Sequence, residues 1–110
     1  MELAQKKCVP CEGGMPPMTK EEAREYLAQV IGWQLPDDAK SISKTFKWKD
    51  FKEAMAFVNQ IAQIAEAEGH HPDIHISWNK VKLELKTHAI RGLSENDFIL
   101  AAKIDRLLAT

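Results

Sequence analysis

Asp73-Ile74-His75-Ile76-Ser77-Trp78-Asn79-Lys80-Val81-Lys82-Leu83-Glu84-Leu85-Lys86-Thr87 is the stretch that decides the fold. Ile74, Ile76 and Trp78 alternate with His75 and Ser77, and Val81, Leu83, Leu85 and Thr87 alternate with Lys82, Glu84 and Lys86. Successive strand residues point to opposite faces, so two such runs separated only by Asn79-Lys80 predict a tight antiparallel hairpin with one apolar face. Counting outward from Trp78 opposite Val81 pairs Ile76 with Leu83, Ile74 with Leu85, His75 with Glu84 and Asp73 with Lys86. The same count puts His71 opposite His88. Directly opposed residues have Cβ atoms about 4.5 to 5.5 Å apart, close enough for two imidazoles to share one small ligand.

Immediately before the hairpin stands Gly69-His70-His71-Pro72. Asp50 caps the helix that leads there, with Glu53 at the reciprocal position, and Phe51, Ala54, Met55, Val58, Ile61, Ala62 and Ala65 form its apolar stripe, widened by Phe57 and Ile64. Gly69 stops this helix and Pro72 forbids its continuation, so His70 and His71 emerge where the helix ends. After the hairpin, Ser94 and Asp97 form a capping box for a third helix. The apolar residues between Phe98 and Leu108 exceed what one buried stripe needs, and the excess predicts a subunit interface. Upstream, Thr19 and Glu22 cap a first helix that runs to about Ile31. Trp33 to Leu35 and Ser41 to Trp48 follow as strands. The expected fold is α+β, a four-stranded antiparallel sheet with three helices packed on one face in the order α-β-β-α-β-β-α.

A chain of 110 residues with 45% hydrophobic and 28% charged residues is an ordinary globular domain. Its 15 basic and 16 acidic residues leave a net charge of -1, which gives no electrostatic footprint for nucleic acid or an anionic membrane. No run approaches the ~20 apolar residues of a membrane span, and Met1 to Lys7 lacks an apolar region of signal-peptide length, so a cytoplasmic location is expected. Residues 1–18, rich in Pro, Gly and Met, read as a flexible N-terminal arm, and 19–110 as a single domain. The arm carries Cys8 and Cys11 in a C-x-x-C pair, which supplies two of the four ligands that zinc takes.

Three of the four histidines, His70, His71 and His88, fall where the hairpin would gather them. Imidazole both gives and takes a proton near neutrality, so the trio fits acid/base chemistry. It also fits a three-histidine zinc site, with Glu66, Glu68 and Asp73 as outer acceptors, or a surface cluster without a joint role. His75 reads as a surface residue paired with Glu84. Nucleophilic catalysis is disfavoured, because both cysteines lie in the arm and no Ser sits in a recognisable nucleophile turn.

At these residues the chain resembles the pterin-4a-carbinolamine dehydratases, over about residues 19 to 108. The family pattern is an acid four residues before the first His, then His-His-Pro, an aromatic, a further His and an Asp. Glu66, His70, His71, Pro72, Trp78, His88 and Asp97 occupy those positions. The resemblance implies the α+β sandwich above, assembled as a homodimer or homotetramer. It implies dehydration of 4a-hydroxytetrahydropterin to quinonoid dihydropterin in tetrahydrobiopterin recycling, without metal or organic cofactor. By the same analogy His70, His71 and His88 are catalytic, with His70 and His88 as the acid/base pair and His71 holding the substrate. Gly69, Pro72, Asp73 and Thr87 join the three histidines in binding the pterin. The alternative within the same likeness is a protein-interaction or assembly factor of the dimerisation-cofactor type.

Overall fold

The computed structural model describes residues 2–9 and 16–108. Among them the elements are α1 (Lys20–Leu27), β1 (Ile42–Lys47), α2 (Phe51–Glu68), β2 (Asp73–Ser77), β3 (Lys80–Leu85) and α3 (Glu95–Leu107). Cys11, and with it half of the C-x-x-C pair, lies outside the described residues. The sheet is antiparallel with β3 between β1 and β2. It has three strands among the described residues, not the expected four. Trp33 to Leu35 makes only a bridge, in which Gln34 exchanges backbone hydrogen bonds of 2.8 and 3.1 Å with Ser43. Two features confine that bridge to one residue: Gly32 enters it at φ 77° and Pro36 follows with no N–H to continue a ladder. Helix α1 also ends at Leu27, short of Ile31, whose N–H is donated to Asp105 on α3.

The hairpin register differs from the sequence count by two residues. Ser77 pairs with Lys80, Ile76 with Val81, Ile74 with Leu83, His75 with Lys82 and Asp73 with Glu84. The turn residues are therefore Trp78 and Asn79, with Trp78 at φ 50° and 64% exposed. Contacts with the end of β1 account for the shift. The Trp48 N–H donates to the Asn79 carbonyl at 2.7 Å, and the Asn79 amide donates to the Trp48 carbonyl at 3.0 Å. Asn79 is held there as the second turn residue. A slip of two preserves which face each side chain takes, so the alternation in the sequence does not distinguish the two registers. The expected His75–Glu84 and His71–His88 pairings are not made.

Ile42 and Phe46 of β1 and Val81, Leu83 and Leu85 of β3 share the covered face of the sheet, and pack with α2 and α3. The α2 stripe is rotated from the expected one: Phe57 is buried and Phe51 is half exposed. Most of the apolar surplus of α3 is covered within the chain, while Leu108 at its end stays 44% exposed. Phe98, Ile99, Leu100, Ala101 and Ile104 are all buried, and Tyr26 of α1 stacks on Phe98 at 5.3 Å. The arm, expected as coil, makes a 3₁₀ turn at Leu3–Gln5 that buries Leu3 against this cluster.

Between β3 and α3 the chain closes a small loop, in which the Thr87 N–H donates to the Gly92 carbonyl at 2.8 Å. A Cβ on Gly92 would lie 2.6 Å from the ring Cβ of Pro17. Gly92→Ala is therefore expected to destabilise the fold by about 1 to 2 kcal/mol, as Pro17 is exposed and can retreat only partly, and urea titration checks it.

Candidate active site

Gly69, at φ 66°, ends α2 in the left-handed conformation, and the His70 N–H still donates to the Ala65 carbonyl at 3.2 Å. That wrapped turn sends the His70 side chain towards α3, where Nε2 lies 2.6 Å from Asp97 Oδ1. The His70 side chain is 12% exposed and Asp97 is 0% exposed. The other Asp97 oxygen accepts from Thr87 Oγ1 at 2.9 Å and from the Ser94 N–H at 3.0 Å. An ionised carboxylate only accepts, so Nε2 of His70 carries hydrogen and Nδ1 keeps the lone pair when the ring is neutral.

His71 is exposed, and its Nε2 meets Glu66 Oε2 at 2.5 Å, one turn back on α2. Pro72 then directs the chain into β2. His88 opens the 3₁₀ turn His88–Ile90, exposed beside the buried Thr87. These elements enclose a cavity of roughly 660 Å³. All seven residues expected to bind substrate, Gly69, His70, His71, Pro72, Asp73, Thr87 and His88, line it. His71 and His88 thus reach one cavity from a helix end and a loop, not as strand neighbours. His75 and Trp78 do not line it. Among the described residues no group of three His, Cys, Asp or Glu is placed to hold a metal ion.

The family model for "Pterin 4 alpha carbinolamine dehydratase" matches residues 16–107, which span every element of the sheet and all three α-helices. The chain belongs to the pterin-4a-carbinolamine dehydratase family. A Nitrosomonas eutropha protein with that provisional name is 54% identical over 108 residues, 97% of this chain and 94% of the relative. One from Methylococcus capsulatus is 50% identical over 107 residues, again 97% and 94%. Among solved structures, a Brucella melitensis "transcriptional coactivator/pterin dehydratase" is similar at TM-score 0.78 and 36% identity, over 83% of this chain and 97% of that one. A pterin dehydratase-like RuBisCO assembly factor of the alpha-carboxysome shares the fold at TM-score 0.61 and 22% identity, over 72% and 92%.

Two features of this dehydratase-family cavity were not legible from the sequence. Asp97 reads there as the helix-capping acid, which it is, but the same carboxylate also receives His70 from 27 residues away. Cys8, Val9 and Asn96 line the cavity as well, so the arm reaches it. Burial, reinforced by the Glu68 carboxylate, pushes the Cys8 thiol up from 9.0 to about 12. A raised pKa means less thiolate at a given pH. Cys8 is therefore expected to alkylate with iodoacetamide at pH 8 on the order of 10²- to 10³-fold more slowly than free cysteine, read by peptide mass spectrometry.

Proposed function

We propose that this chain dehydrates 4a-hydroxytetrahydropterin to quinonoid dihydropterin and water by histidine acid/base catalysis, drawing on no metal or organic cofactor. The observation that carries the reading is the His70–Asp97 pair at the wall of a cavity that His71 and His88 also line. The reaction breaks the C4a–O bond and forms C4a=N5. One proton must reach the departing hydroxyl and one must leave N5. His70, with Nε2–H given to Asp97, offers the Nδ1 lone pair and takes the N5 proton. His88, exposed at the cavity, delivers a proton to the hydroxyl and is reprotonated from water. The proton gained by His70 returns to solvent, so the cycle closes with water as the only other product. His71, held by Glu66, contacts the pterin.

The partner-protein alternative draws on the coactivator part of the name of the Brucella melitensis relative. It gives no use for a histidine hydrogen-bonded to a fully buried carboxylate, which a docking surface does not require. Stopped-flow absorbance with 4a-hydroxytetrahydropterin tests the proposal. Formation of quinonoid dihydropterin well above the spontaneous rate is expected, unchanged by chelators. A rate equal to the spontaneous one at micromolar protein would return the chain to the partner-protein reading.

A further inference from the structure

Leu3 to Val9 of the arm run along α3 to the cavity, held by polar anchors from α2 and α3. Lys103 donates to the Ala4 carbonyl at 2.8 Å, and Lys6 pairs with Glu95 at 3.0 Å. Glu68 Oε1 accepts from the Cys8 N–H at 2.8 Å. The buried Asn96 uses both ends of its amide on one residue: Oδ1 accepts from the Val9 N–H at 3.0 Å and Nδ2 donates to the Val9 carbonyl at 2.5 Å. The last two anchors adjoin the histidine machinery. Glu68 stands two residues before His70, and Asn96 one before Asp97. The arm is thereby fixed to the same short segments that orient the imidazole.

We infer that Cys8-Val9, clamped by Asn96, is a substrate-positioning wall of the cavity that sets affinity for the pterin and leaves proton transfer to the histidines. The inference rests on the dehydratase reading above. A ligand filling the cavity meets Cys8 and Val9 as well as the imidazoles. If only the docked arm completes the site, the apparent dissociation constant is the intrinsic one divided by the docked fraction. Releasing the clamp lowers that fraction, which raises KM and leaves kcat in place. The shorter contacts are made through the backbone of Cys8 and Val9, and the Cys8 thiol adds a longer one, donating to the Asn96 carbonyl at 3.6 Å.

The test removes the same hydrogen bond from its two ends in the full chain. Asn96→Ala deletes both amide partners of Val9, and Val9→Pro deletes the N–H that Asn96 Oδ1 accepts, at a residue that is 64% exposed. Each variant is expected to raise KM for 4a-hydroxytetrahydropterin by about tenfold or more with kcat within about threefold, and to leave the pH profile of kcat unmoved. Unchanged KM in either variant would overturn the inference. Calorimetric binding of 7,8-dihydrobiopterin reads the same ratio without turnover. If the wild-type chain binds this probe but does not turn over, the dehydratase reading fails, while tenfold weaker binding in both variants sustains the arm and equal binding overturns it. A wild-type chain that does neither removes both.

Discussion

His70→Ala combined with His88→Ala is expected to bring turnover of 4a-hydroxytetrahydropterin close to the spontaneous rate. Each single change should cost about 10²-fold to 10⁴-fold in kcat, the range for removing one general acid or base. Both imidazoles line one cavity, so the survivor rescues part of each single loss and the double variant falls well below either. His71→Ala should act chiefly through KM, because its ring is exposed and engaged with Glu66 at the rim. His75→Ala serves as the control, since His75 lies outside the cavity and opposite Lys82. The kcat/KM profile of the wild type should be bell-shaped, as one acid and one base require. Near wild-type turnover in the double variant would end the acid/base proposal, and loss of activity on chelation would move the trio to a metal site.

Asp97→Asn is the second large effect, and it tests how His70 is held. The carboxylate accepts three hydrogens, from His70, Thr87 and the Ser94 N–H. An asparagine amide can keep its oxygen towards Thr87 and Ser94, but then presents NH₂ to His70 Nε2. That contact favours the tautomer with hydrogen on Nδ1, the nitrogen proposed to take the N5 proton. A kcat loss of about 10²-fold to 10⁴-fold with little change in KM is expected, the scale of misplacing a catalytic tautomer. Thermal unfolding should change little. Asp97→Ala separates the roles, because it removes the acceptor that the Thr87 hydroxyl and the Ser94 N–H share, leaving Thr87 its contact with Ser94 Oγ at 2.7 Å, and should cost about 1 to 3 kcal/mol of stability. Full activity in Asp97→Asn would show that the carboxylate is a helix cap alone.

Local patterns in the chain determined much of this protein. Gly69 and Pro72 place His70 and His71 at a helix end through backbone sterics that act over a few residues. Alternation within Ile74–Ile76 and Val81–Leu85 assigns the strand side chains to a face, though not Trp78, which the turn takes, and Thr19, Asp50 and Ser94 cap the helices where they stand. The family pattern from Glu66 to Asp97 was also legible. What only the tertiary structure decided depends on partners far apart in sequence. The parity of the hairpin is local, but its register is held by Asn79 against Trp48, 31 residues away. The apolar excess of α3 looked like a subunit face because hydrophobicity records that a surface is covered, not by what. Here Leu3 of the arm and Tyr26 of α1 cover part of it, and Leu108 at the helix end stays exposed. Asp97 likewise serves its own helix and His70 with two oxygens of one carboxylate, and the second role exists only once the end of α2 has been folded against the start of α3.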